Sequence, residues 1–377
     1  MRCLHLFSDW KWTGPAEPVV SLCESLKTLG VDVSLAFRKA PVDFRERTVE
    51  KEARKRGLSC CEAFRLNRYF SPRDWLFDFR ALYRYAADLK IDILHAHLTH
   101  DHALAAASLF GKPRPPLLVR TDHKRDGLDP GPTMSALLGR TDGLVLYGRT
   151  IKERDIERFA YPDERCVVLP PGVHVYDGPV GDLKASLGLG PDELVVGVIG
   201  RLKPDRGYDV ILRAFKTLRT RMDKVKLVIV GRSSQIEESV RKPITALGLE
   251  EDVILAGYRL DDYFSMIATF DLFVMMRAGS DGAARALREV MGMGKPAIVS
   301  DRGMLPELVR DGYNGYVAAD ERLLAARMEE VLTDDRLKGR LGAQARRTAL
   351  EEWDYSLQAK RLLGFYERIK TLGRRAG

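Results

Sequence analysis

The stretch that decides the fold runs from Phe273 to Ser300, FVMMRAGSDGAARALREVMGMGKPAIVS. It reads as a strand, a polar loop, a helix and a second strand. A unit of this kind sets its two strands parallel and opens a binding crevice at their carboxyl ends. With the helix predicted to start near Asp281-Gly282, its unpaired amides and positive dipole end point into that crevice, a place suited to an anion such as a diphosphate.

Working outward, the same pattern recurs. Apolar runs at Leu194–Ile199, Lys226–Val230, Val253–Leu255, Leu272–Met275 and Ala297–Val299 predict one Rossmann-like lobe, entered through a loop-like stretch from Pro170-Pro171-Gly172 to Gly190-Pro191. Upstream, Cys3–Ser8 reads as a buried strand, Gly14-Pro15 as a turn, Val19–Leu29 as an amphipathic helix closed by Gly30, and Val31–Phe37 as the next strand. Further strands at Ile91–Leu94, Leu117–Arg120, Gly143–Tyr147 and Cys166–Leu169 complete a doubly wound first lobe, and Tyr355–Lys370 reads as a terminal amphipathic helix. The fold class is α/β, and 377 residues suit two comparable lobes better than one core. No internal repeat is visible.

Composition narrows the function. Hydrophobic residues at 45% and charged residues at 30% are ordinary for a globular chain and exclude extended disorder and coiled coil. A net charge of +8 favours anionic partners: nucleotides, phosphosugars or acidic headgroups. No zinc-finger spacing, basic zipper or aromatic RNA-binding motif is present, so no nucleic acid is expected. Cys3, Cys23, Cys60, Cys61 and Cys166 form an odd set without C-x-x-C, which points away from disulfides and structural zinc and towards a reducing cytoplasm. No apolar run approaches the ~18 residues of a spanning helix.

Two loops carry the candidate chemistry. Asp281 and Glu289 are eight residues apart, about 12 Å along a helix, a span comparable to that from sugar to ribose in a nucleotide sugar. Taken alone they read as a helix cap and half of a surface salt bridge. The context changes that reading, because the first strand of the same lobe runs into Gly200-Arg201-Leu202-Lys203-Pro204-Asp205-Arg206-Gly207. Arg201 and Arg206 there are fit to neutralise a departing diphosphate without a metal.

These motifs resemble the retaining glycosyltransferases of family 4, also called glycosyl transferases group 1, which have the GT-B fold. The family's G-R-L-x-x-x-K-G loop is similar to Gly200-Arg201-Leu202 with Arg206-Gly207, and its E-x7-E motif ends at Glu289. Asp281 stands for the first Glu, Arg206 for the Lys, and Gly282-Ala283-Ala284 for Gly-Phe-Gly. The resemblance implies that Glu289 binds the ribose hydroxyls, that Asp281 faces the donor sugar, and that the backbone of Gly282, Ala283, Ala284 and Arg285 lies by the sugar and diphosphate. It also implies a sugar contact for His123, in Arg120-Thr121-Asp122-His123, and an approach of Gly14 to phosphate or acceptor. His123 is otherwise a histidine satisfying backbone groups at a strand end.

Two stretches stay open to other readings. His95-Ala96-His97 with His100 and His102 looks like the metal set of a hydrolase, or like histidines lining the crevice, since the family also ends this strand in His-x-His. From Arg65 to Tyr85, Ser71 and Pro72 begin a helix in which Trp75, Phe79, Leu82 and Ala86 have core spacing. Its arginines read as a solvated face or as an attractor of an anionic membrane surface.

The sequence therefore predicts an acceptor-binding domain at 1–171, a nucleotide-sugar-binding domain at 172–353, a helix at 354–377 crossing back to the first domain, and an active site in the cleft between them. The implied activity is a metal-independent, cofactor-free, retaining sugar transfer from a nucleotide-diphosphate sugar to a glycan or lipid-linked acceptor. Cell-surface polysaccharide or lipopolysaccharide synthesis at the inner face of the plasma membrane is the implied setting. A metal-dependent hydrolase and a non-catalytic nucleotide-sugar-binding subunit are the alternatives.

Overall fold

The computed structural model describes residues 1–44, 47–69, 71–279 and 284–375. The chain divides into two compact units, one of Met1–Gly172 with the C-terminal segment from Tyr355, the other of Val173–Asp354.

Among the described residues the first unit has a seven-stranded sheet: β1 (Arg2–Phe7), β2 (Asp32–Phe37), β3 (Ser59–Cys61), β4 (Ile93–Ala96), β5 (Leu117–Thr121), β6 (Gly143–Leu146) and β7 (Cys166–Val168). All pairs are parallel, in the order β3-β2-β1-β4-β5-β6-β7. The second unit has a six-stranded parallel sheet of β8 (Leu194–Ile199), β9 (Val225–Val230), β10 (Val253–Gly257), β11 (Leu272–Met275), β12 (Ala297–Val299) and β13 (Tyr316–Val317), ordered β10-β9-β8-β11-β12-β13. Counted within each unit, both sheets begin 3-2-1-4-5-6. The order reverses between β1 and β4 and again between β8 and β11, and at such switch points the loops diverge and leave a crevice.

Helices cover both faces of each sheet, which is why the central strands are almost wholly apolar: all four residues of β4, β6 and β11 except His95 are hydrophobic or glycine, and all are buried. In the first unit the helix Ala16–Thr28 and the C-terminal helix Tyr355–Leu372 share one core, with Val19, Cys23 and Leu26 against Leu362, Phe365 and Ile369. The C-terminal helix seats on β6 because Gly143 has no side chain. A Cβ there would lie 2.9 Å from the Phe365 ring. In the second unit the helix Tyr208–Arg219 lays Ile211, Leu212, Phe215 and Leu218 into the main core. Each such fully buried side chain contributes about 1.5–3 kcal/mol.

The helix Pro72–Asp88 starts at Ser71, whose Oγ accepts from the Asp74 amide, with Pro72 in the first turn. Leu82 and Ala86 enter the core, Trp75 and Phe79 reach it in part, and Leu76 and Phe77 are exposed. No helix among the described residues is long and apolar enough to cross a membrane.

The helix predicted to start near Asp281-Gly282 spans Arg285–Gly292. Ala284 precedes it in the left-handed conformation, φ 44° and ψ 42°, and an α-helix cannot run through such a residue. The helical rise therefore does not measure the separation of Asp281 from Glu289. Asp281, Gly282 and Ala283 lie outside the described residues. The short strands β3 and β13 were not foreseen.

Candidate active site

In the second unit the loop leaving β8 carries both arginines. Arg201 is exposed, and its carbonyl accepts from the buried Tyr208 hydroxyl at 3.3 Å. Arg206 closes a short 3-10 turn, and Gly207 follows at φ 76°, where a Cβ would lie 2.8 Å from Cβ of Met276. Glycine is thus required by conformation and by space. Arg206 donates from Nη1 to the carbonyl of Ala278 and lies 3.6 Å from Asp205 through Nε. The first bond ties the loop after β8 to the loop after β11, the two loops that flank the switch point.

The helix Arg285–Gly292 holds Glu289 almost fully buried. Its carboxylate is shared: Oε2 accepts from the Tyr263 hydroxyl at 2.7 Å, and Oε1 from Nε of Arg285 at 2.7 Å. Burial, and then the neighbouring carboxylate, push the Tyr263 phenol well above its ordinary range, so it stays a donor. Glu289 is therefore oriented from two sides and has lone pairs left for hydroxyl donors. Ala284, buried, and Arg285, half-exposed, stand at the start of this helix. Sequence reasoning did not single out Tyr263, which lies 26 residues away on a separate helix, Tyr263–Thr269. Its only signal was an aromatic at a helix start following a strand.

In the first unit Gly14 lies in the turn between β1 and the helix Ala16–Thr28, closed by the Ala16 amide donating to Thr13 at 3.0 Å. His97 follows β4 and His123 follows β5. Both line one cavity with Thr121, Tyr147, Tyr355 and Gln358. His123 is not available as a free imidazole: Nε2 lies 3.1 Å from Nδ1 of His97, and Nδ1 is hydrogen-bonded to the Tyr147 hydroxyl. Burial pulls His5 and His123 down to about 3, and His95 and His97 well below their ordinary value, so all four are neutral near pH 7.

One nitrogen each of His5, His95 and His97 lies within 4.8 Å of the others. The rings of His95 and His97 are nevertheless stacked, 4.4 Å apart at 17°, and the nitrogens bond to one another, to Thr121 and to Tyr366. Stacked rings do not converge on one ion as ligands must.

Residues 181–348 match the family described as glycosyl transferases group 1, and residues 13–176 match glycosyltransferase family 4. The chain belongs to the group 1 glycosyltransferases. Among curated relatives of this glycosyltransferase is a GDP-mannose-dependent alpha-(1-6)-phosphatidylinositol monomannoside mannosyltransferase of Mycolicibacterium smegmatis, 31% identical over 59% of this chain and 61% of that protein. The matched part thus spans about three fifths of that relative's length. Of solved structures, a glycosyltransferase from Rickettsia africae superposes with a TM-score of 0.81 at 16% identity, over 99% of both chains. Anabaena HepE in complex with UDP gives 0.80 at 18% identity, over 97% of this chain and 100% of that one. At these identities the likeness is one of fold, and the fold is GT-B. The hydrolase alternative is not favoured by the family match or by the stacked histidines.

Proposed function

We propose that this glycosyltransferase moves a sugar from a nucleotide-diphosphate sugar to a hydroxyl of a glycan or glycolipid acceptor, with retention of anomeric configuration and without a metal or other cofactor. The observation that carries the reading is the pair of joined loops at the second unit's switch point, one bearing Arg201 and Arg206, the other leading to Glu289. Glu289, held by Tyr263 and Arg285, takes the ribose hydroxyls, and Asp281, outside the described residues, takes the sugar. The amides of Gly282, Ala283, Ala284 and Arg285 are assigned to the diphosphate.

In the transfer step the bond from the anomeric carbon to phosphate oxygen breaks, and a bond to the acceptor oxygen forms on the same face. The acceptor proton passes to the departing diphosphate, whose charge Arg201, Arg206 and the amides stabilise. We assign His123 of the first unit a contact with the sugar, and Gly14 one with phosphate or acceptor. The GDP-mannose dependence of one relative and the UDP bound in one structural neighbour support a nucleotide donor. A lipid-linked acceptor accords with the phosphatidylinositol monomannoside named for the mannosyltransferase relative, and lipopolysaccharide or other surface-glycan synthesis is the proposed setting. We place the enzyme on the cytoplasmic side of an anionic membrane, docked through the helix Pro72–Asp88, where exposed Leu76 and Phe77 sit among Arg73, Arg80 and Arg84.

A thermal-shift screen against GDP, UDP and their sugars tests the donor, because a ligand that binds only the native state raises Tm by mass action. The preferred nucleotide raises Tm, and Arg201→Ala and Glu289→Ala each abolish the rise. No rise with any nucleotide, or an undiminished one in both variants, overturns the assignment.

A further inference from the structure

The buried histidines of the first unit are joined end to end. From the cavity inward, the Tyr147 hydroxyl bonds to Nδ1 of His123, Nε2 of His123 to Nδ1 of His97 at 3.1 Å, and Nε2 of His97 to Nδ1 of His5 at 2.9 Å. Nε2 of His5 lies 3.5 Å from the Tyr366 hydroxyl, which meets Nδ1 of His95 at 2.5 Å, and Nε2 of His95 meets Oγ1 of Thr121 at 2.7 Å. Every ring nitrogen of the four histidines is used, and Thr121 and Tyr147 at the two ends line the same cavity.

A neutral imidazole has one N–H and one lone-pair nitrogen. If Nε2 of His123 carries the hydrogen, Nδ1 of His97 must accept it, so His97 also carries its hydrogen on Nε2. The same step repeats through His5, Tyr366 and His95 to Thr121. In this arrangement Tyr147 donates into the chain and all four rings are protonated on Nε2. Reversing one bond with every hydrogen kept paired reverses every bond: Thr121 then donates to His95, and all four rings are protonated on Nδ1. A mixed arrangement either sets two lone pairs or two N–H groups against each other between neighbouring rings, or leaves the Tyr366 hydrogen or one ring nitrogen beside it unpaired in a buried site.

We propose that His5, His95, His97 and His123, with Tyr366, form a tautomeric relay whose four rings take one tautomer together, so that a proton accepted at one cavity hydroxyl is matched by one released at the other. In that event each bridging hydrogen moves to the neighbouring partner within its own bond, one proton enters at Tyr147 or Thr121, and one leaves at the opposite end. No net charge is deposited on the histidines. The relay stands on the bonds alone. Its consequence for catalysis rests on the reading of His123 as the residue by the sugar: His5, His95, His97 and Tyr366 are then positioning residues that fix which nitrogen of His123 carries the proton.

The experiment is two-bond ¹H–¹⁵N correlation on the full chain labelled at histidine nitrogens, which separates Nδ1–H from Nε2–H rings. The wild type shows one tautomer at all four positions. Thr121→Val leaves Nε2 of His95 without a partner, and since an orphaned buried N–H is the costlier state, the whole set moves to Nδ1–H. Tyr147→Phe acts at the other end and moves it to Nε2–H. The decisive signals are His5 and His97, neither of which bonds to a substituted residue. Mixed tautomers in the wild type overturn the proposal, as does a change confined to the ring nearest the substitution. The wild-type spectrum alone is decisive if a variant does not fold. Because nothing here needs sugar transfer, failure of the donor screen leaves this result standing, and the reverse also holds.

Discussion

Acidification is expected to unfold the first unit well above the ordinary titration range of carboxylates. Of the seven histidines, five (His5, His95, His97, His102 and His123) are fully buried in that unit. Desolvation is the first cause of the lowering at each, down to about 3 for His5, His102 and His123. A native pKa below the unfolded one means stability that is complete above about pH 6.5 and is lost as the pH falls from there towards 3. At about pH 5 an unfolded histidine is almost fully protonated, so each buried one costs about 2 kcal/mol, and five together about 10 kcal/mol.

Asp101 acts in the opposite sense. Burial raises it to about 7, so between about pH 4 and 7 the native state holds a proton that the unfolded chain releases, an offset of about 3 kcal/mol at pH 5. Burial raises Asp78 and Asp122 in the same direction. The net loss, about 7 kcal/mol or somewhat less, rivals the whole stability of an ordinary domain. Urea titrations at about pH 7.5, 6.5 and 5.5 measure it. The fluorescence reports this unit, since Trp10, Trp12 and Trp75 lie in it and Trp353 in the other. A urea midpoint unchanged between about pH 7.5 and 5.5, or native histidine resonances titrating near 6.5, would refute the reasoning.

Three further outcomes are expected. Asp101→Ala strips the Ser8 and Leu98 amides, 2.9 and 2.8 Å from the carboxylate, of their acceptor, and lowers stability by about 2–5 kcal/mol; Asp101→Asn, which keeps one acceptor, loses less in the same urea assay. Ala284→Gly relieves the left-handed strain at φ 44° and raises the second unit's stability by up to about 1 kcal/mol in differential scanning calorimetry, whereas a loss would show that this conformation is not held in solution. Replacing Arg80 and Arg84 with Glu cuts co-sedimentation with phosphatidylglycerol vesicles by about tenfold or more and leaves the already weak binding to phosphatidylcholine unchanged, each cation near the surface contributing about 1 kcal/mol; equal binding to both lipids would remove the docking helix from the proposal.

The sequence was legible where burial leaves one pattern to read. β8, β11 and β12 fall on the predicted residues, because strands covered on both faces become short apolar runs bounded by loop residues. β3 and β13, three and two residues long at sheet edges, lack such a run. The two-lobe α/β class, the loop at Gly200–Gly207 and the helix carrying Glu289 follow from local spacing. The start of that helix does not, since a left-handed Ala284 answers to its packing rather than to propensity.

Which polar groups meet is settled by folding alone. Tyr263 reaches Glu289 across 26 residues, and Tyr366 reaches His95 across 271. His95-Ala96-His97 in the linear chain is compatible with metal ligation, and folding instead stacks the two rings and commits their nitrogens to hydrogen bonds. Chain periodicity records which face of an element avoids water, so it fixes elements and their layers. Hydrogen-bond partners depend on distances of a few tenths of an ångström between elements far apart in the chain, and only the packed molecule sets those.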